Sequence, residues 1–217
     1  MRRTTSFLTS SVGRKVIMAL SGLFLSSFLV IHLYINLFLF KQDLGHEFDA
    51  YAEFMATYPL LRPLEIILFA GFLLHAFIGI WLWLMNRRAR PVRYTLHKTG
   101  QTSELSSRIM WLTGFVIAAF LVVHIKGFFI ASRFITPDRS MYDIVAEAFK
   151  NPWTDALYIV ALFFLGYHLR HGFQSSFQTF GLRHERYRRV IDWVGAIFWL
   201  LIPLGFAAMP LYFLWGK

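Results

Sequence analysis

Apolar residues in this chain do not alternate with polar ones; they run together in five long blocks separated by short charged intervals. The blocks cover about residues 16–40, 64–86, 109–131, 153–177 and 191–214. Each reaches the roughly 20 residues that an α-helix, rising about 1.5 Å per residue, needs to cross a hydrocarbon layer of about 30 Å. The pattern predicts an all-α integral membrane protein with five transmembrane helices. Residues 1–217 then form a single transmembrane domain without internal repeat or low-complexity tract, and the first four spans form an up-down-up-down bundle. The first block follows Arg2 and Arg3 but lacks a small-residue cleavage pattern, so it reads as a retained span rather than a signal peptide. Intervals 41–62 (KQDLGHEFDAYAEFMATYPLLR) and 132–152 read as long connections, the second with a short amphipathic helix at 140–150.

Composition agrees: 57% of the residues are hydrophobic, more than a soluble domain of this size can hide. The net charge of +10 raises the question of nucleic acid, but the basic residues sit at the ends of apolar blocks, where membrane topology accounts for them. Arg2, Arg3, Arg14, Lys15, Arg87, Arg88, Arg90, Arg93, Lys98, Arg108, Arg170, Arg183, Arg186, Arg188 and Arg189 fall on one side, making 15 of the 22 basic residues. Only Glu104, Glu185 and Asp192 accompany them there. The positive-inside rule then predicts a cytoplasmic N-terminus and an external C-terminus.

The chain has no cysteine, which excludes disulfides, cysteine-ligated iron–sulfur clusters and cysteine-attached haem, and leaves histidine as the main metal ligand. Of eight histidines, His46, His97 and His184 lie in intervals. His32, His75, His124 and His168 lie one in each of the first four spans, where an ionisable side chain is costly and functional by default. His32 and His124 each stand nine residues before an outer-side cation, Lys41 or Arg133, roughly 14 Å deep. His75 follows Arg62 by 12 residues and His168 follows Trp153 by 15, roughly 18 to 22 Å from that side. The depths define two layers of two histidines, and the diagonal helices of a four-helix bundle pair them in the same way.

Zinc would ask for four ligands at one depth, whereas two histidines per layer suit the axial positions of a haem iron used for electron transfer. Gly71 and Gly79 bracket His75, Gly172 follows His168 by four, and Gly127 follows His124 by three. They offer either space for a macrocycle or ordinary close helix contact. Arg14, Arg108, Lys126, His171 and Ser175 are candidate contacts for haem propionates or quinone, and interface anchoring explains the cations equally well. The acids Asp43, Glu47, Asp49 and Glu53 read either as proton carriers at the outer end or as a solvated loop.

The stretches SSVGRKVIMALSGLFLSSFLVIHLYINL, YPLLRPLEIILFAGFLLHAFIGI, TGFVIAAFLVVHIKGF and YHLRHGFQSSFQTFG, with histidine spacings of 43, 49 and 44, resemble the cytochrome b membrane-anchor subunit of succinate:quinone oxidoreductases, in its one-subunit, five-helix, two-haem type. The resemblance covers nearly the whole chain. It implies that His75 and His168 hold the proximal haem b and His32 and His124 the distal one. It favours His168 over His171, because His168 stands 13 residues before Gly181. Some fumarate reductases of this type carry a proton-moving glutamate two residues before that ligand; here the position is Gly166.

The resemblance further implies a flavoprotein and an iron–sulfur subunit docked on the cytoplasmic face of the cell's inner membrane, which carry the flavin and the clusters. It implies electron transport to a quinone, menaquinone for this type, within the respiratory chain and the tricarboxylic acid cycle. No catalytic residue for dicarboxylate chemistry is expected in this chain. A quinol:fumarate reductase anchor, the cytochrome b of another dehydrogenase or a hydrogenase, and a haem-free transporter or assembly protein remain as alternatives. Assembly of the complex into a higher oligomer is left open.

Overall fold

The structure, a computed structural model, describes residues 10–88 and 109–215. Its α-helices are α1 (Ser11–Asn36), α2 (His46–Thr57), α3 (Leu61–Arg88), α4 (Met110–His124), α5 (Met141–Ala148), α6 (Pro152–Thr179), α7 (Glu185–Ala196) and α8 (Ile202–Trp215), with no strand among the described residues. Leu37–Phe40 extends α1 as a 3-10 turn. Ile125–Ile135 extends α4 as a π-helix, and Ile197–Leu201 is a π stretch joining α7 to α8.

Five helical runs are long and apolar enough to cross a membrane: Val12–Phe40, Leu61–Arg88, Met110–Ile135, Pro152–Thr179 and Glu185–Trp215. The third outruns the expected 131 because the π segment Ile125–Ile135 carries the helix past the end of the hydropathic block, and the fifth begins before the expected 191 because the His184 cap starts its α-helix at Glu185. The helix starts follow local chemistry. Ser10 Oγ accepts from Gly13 N at 2.9 Å, Ser140 Oγ from Asp143 N at 3.2 Å, and Asn151 Oδ1 from Trp153 N at 3.0 Å, with Pro152 in the first turn where its missing N–H costs nothing.

Interval 41–62 is more than a loop, since its middle folds as α2. Gly45 opens that helix at φ +86°, and a Cβ there would overlap the Tyr142 ring, so the position needs glycine. Asp43 caps the same end, accepting from Gly45 N at 3.0 Å and Glu47 N at 2.9 Å; these N–H bonds, that of Glu47 first, hold its carboxyl below the usual range. Asp49 then ties α2 to α5, accepting from Ser140 Oγ at 2.6 Å and Tyr142 N at 2.8 Å. Beneath the two short helices lies a buried apolar cluster that includes Leu39, Phe48, Phe128, Phe149, Tyr158 and Phe213. This is the capped end of the molecule; Arg87, Arg88 and the exposed run Arg183–Arg189 mark the basic end.

α1 packs against α3 and α6, and α4 packs against the same two helices. The facing diagonals are therefore α1 with α4, and α3 with α6. The fifth span lies against α6 and α1.

A relation that the linear reading misses then becomes visible. LSGLFLSSFLVIH (residues 20–32) on α1 and LTGFVIAAFLVVH (112–124) on α4 carry Leu, Gly, Phe, Leu, Val and His at the same places. The helices that follow share Pro59/Pro152, Leu64/Leu157, Ile66/Ile159, His75/His168 and Gly79/Gly172. Equivalent contacts accompany the equivalent residues: Phe28 lies against His32 at 5.3 Å between ring centres, and Phe120 against His124 at 5.6 Å. Contrary to the expectation of no repeat, the first two spans and the next two carry two copies of one sparse pattern of residues. Apolar-for-apolar exchange hides the copy from inspection.

Candidate functional site

The diagonals bring the four intramembrane histidines together in two pairs. His75 on α3 meets His168 on α6 with ring centres 6.1 Å apart and planes at 71°. His32 on α1 meets His124 on α4 at 5.8 Å and 89°. His32 stands eight residues from Phe40, about 12 Å from the capped end, and His75 stands 14 residues from Leu61, about 21 Å from it. Each pair joins matching positions of the repeated pattern, His32 with His124 and His75 with His168.

Local bonds orient the rings. Ser21 Oγ donates to Met18 O at 3.1 Å and lies 3.2 Å from His75 Nδ1. Thr113 Oγ1, its equivalent on α4, donates to Met110 O at 2.9 Å and lies 3.1 Å from His168 Nδ1. With the hydroxyl proton on the carbonyl, the oxygen is available to accept from Nδ1–H; in that tautomer the lone pair falls on Nε2, the nitrogen then free to bind a metal. Tyr158 OH lies 3.1 Å from His124 Nδ1. At His32 the neighbour is the Asn36 amide nitrogen, 3.5 Å from Nδ1 and donating to His32 O at 2.7 Å.

The centre-to-centre spacing of each pair is compatible with two imidazoles sharing one haem iron. A nitrogen ligand sits about 2 Å from a metal, so two imidazoles on opposite sides of one ion have centres roughly 6 Å apart. All four rings are half-buried, which leaves space at their edges. A groove of about 420 Å³ between α1 and α3, lined by Ile17, Leu20, Ser21, Phe24, Ile67, Ala70, Gly71 and Leu74, runs past the Ser21 that holds His75. Among the described residues no His, Asp and Glu side chains gather in threes or more, so each pair offers two nitrogens.

The glycines that approach the histidines are not those expected. A Cβ on Gly22 would lie 3.3 Å from His75 Cε1, and one on Gly114 3.7 Å from His168 Cε1. Gly71 instead accommodates Phe24, Gly79 faces Met18 and Gly172 faces Met110, while a Cβ on Gly127 would meet nothing within 4 Å. The signal was available in the repeated Leu-Ser/Thr-Gly, which places a hydroxyl 11 residues and a glycine 10 residues before each of His32 and His124.

Arg14 is half-buried with its guanidinium over the Trp81 ring at 5.7 Å, and His171 is half-buried one turn beyond His168. Lys126 and Ser175 are exposed, and Arg108 lies outside the described residues. Asp43 and Asp49 are occupied in the cap, and Glu47 pairs with Lys41, whose ammonium it holds above its usual value. The reading from sequence gave Asp155 no role. It is 3% exposed, neither carboxylate oxygen has a hydrogen-bond partner among the described residues, and it lies one turn from Tyr158 on the buried face of α6. At Gly166 a Cβ would lie 2.9 Å from Trp199 O, so α8's lead-in fills the space that a side chain would need.

Fold and site together define a multi-pass helical membrane protein with paired histidines on facing spans. The chain matches the family model described as "Succinate dehydrogenase/Fumarate reductase transmembrane subunit" over residues 84–204, more than half its length, and it belongs to that family of membrane anchors. The matched stretch includes His124 and His168. No curated protein and no solved structure matches the chain significantly.

Proposed function

We propose that this chain is the quinone-reactive anchor of a succinate:menaquinone oxidoreductase and holds two b-type haems, one between His75 and His168 and one between His32 and His124. The observation that carries the reading is the pair of histidine–histidine contacts, 6.1 and 5.8 Å, on the two diagonals of one bundle. When bound, the haems supply one-electron steps linking the iron–sulfur subunit to quinone. The chain's residues would present Nε2 of each histidine, keep water out through the apolar cluster at the capped end, and leave the apolar groove between α1 and α3 open to lipid. The exposed Arg183, Arg186, Arg188 and Arg189 give the basic end a surface for the iron–sulfur and flavoprotein subunits. Gly166, closed against Trp199 O, argues against a proton route through that position.

Haem quantitation of the purified complex tests the reading. We expect about two b-type haems per chain, falling to about one in His75→Ala, His168→Ala, His32→Ala or His124→Ala, with His171→Ala unchanged. A wild-type ratio near one or zero, or loss of haem only with His171→Ala, refutes it.

A further inference from the structure

Three of the four histidines have an oxygen at Nδ1 and the fourth has a nitrogen. Ser21 and Thr113 occupy equivalent places in the two copies, each with a helix carbonyl within reach of its proton, which leaves its oxygen to accept from the ring. The His75–His168 pair is thus symmetric in its supports as well as its ligands. The His32–His124 pair is not. Tyr158 serves His124, whereas the residue equivalent to Tyr158 in the first copy is Glu65, whose carboxylate is taken by Arg62 at 3.1 Å and Arg133 at 3.0 Å. His32 is left facing the Asn36 amide nitrogen, a donor that His32 O holds in place. If Nε2 of His32 binds a metal, Nδ1 carries the proton, and donor then faces donor. Apolar rings, Phe28 at 5.3 Å and Phe206 at 5.4 Å, position His32 in place of a hydrogen bond.

We infer that Ser21 and Thr113 are positioning residues for the His75–His168 centre, that Tyr158 positions one side only of the His32–His124 centre, and that His32 is the weakly held ligand of the four. A hydrogen bond from Nδ1–H to oxygen fixes the tautomer and makes Nε2 more basic, which favours the oxidised metal; supports of this kind are typically worth 10–100-fold in metal affinity or activity. The inference rests on the haem reading above.

Redox titration of the purified complex, with the two centres assigned by His75→Ala and His124→Ala, tests it. Ser21→Ala and Thr113→Val should each raise the reduced-to-oxidised ratio of the His75–His168 centre several-fold at fixed ambient potential and leave the other centre in place. Ser21→Thr and Thr113→Ser should restore it, which a merely structural role would not require. Tyr158→Phe should move only the other centre. On graded detergent or heat stress the His32–His124 centre should lose haem first, and Asn36→Asp, which supplies an acceptor, should slow that loss. Centres that do not move, or first loss from the His75–His168 site, overturn the inference while leaving the haem reading intact. A wild-type complex without b-type haem overturns the reading beneath it.

Discussion

Gly22 and Gly114 occupy equivalent places, but their clearances differ: a Cβ would come to 3.3 Å of His75 at the first and 3.7 Å of His168 at the second. The first is a forced contact and the second an ordinary one. Gly22→Ala should therefore reduce haem content and lower stability by about 1–3 kcal/mol, the cost of overpacking, while Gly114→Ala should be close to wild type in both. Haem-to-protein ratio and thermal unfolding in detergent measure the contrast, and equal behaviour of the two variants defeats it. The four histidines were legible in sequence because an imidazole inside a hydrocarbon block stands out. Gly22 and Gly114 were not, because spacing along one helix says which residues share its face but not which residue of the crossing helix meets them. Asp155 escaped for another reason: in a count of charges it is one acid among nine on its side, and only burial distinguishes it.

Among the elements, α2 shows where hydropathy runs out. Glu47, Asp49 and Glu53 depress its average, so the segment reads as loop, yet Gly45, the Asp43 cap and the Asp49 clasp make it a helix. The clasp is worth roughly 1–3 kcal/mol, since removing it strands the Tyr142 N–H, and Asp49→Ala should show that loss in thermal unfolding. The cap titrates. Asp43's carboxyl is depressed in the folded chain, so its stabilising contribution is present above the ordinary carboxylate range near pH 4 and disappears as pH falls through the lowered value. Acidification below about pH 4 should open the 41–46 segment to protease in wild type, whereas Asp43→Asn should be open already and change little with pH. Cleavage that depends on pH equally in both proteins would contradict this. The π segments were likewise invisible, because they change the hydrogen-bond register of a helix without changing its apolar character.

At the scale of the whole molecule, hydropathy sufficed for five crossings and the family match now accounts for the membrane-anchor class. The two-copy construction needed the contacts, because thirteen-residue segments in which only six positions agree look like any pair of apolar helices. The orientation expected from charge can be tested directly, since the sequence has no cysteine. A cysteine placed at Leu44, 87% exposed at the capped end, should react with an impermeant maleimide on intact cells, and one at Arg186 should react only after lysis. The opposite pattern inverts the topology.

The cap of α2 and α5 has one more consequence. With Leu39, Phe48, Phe149 and Phe213 stoppering that end, the opening visible among the described residues there is lateral, the apolar groove between α1 and α3. A guest dissolved in the bilayer thus reaches the protein by a two-dimensional search, and its supply is governed by how fast the lipid itself flows.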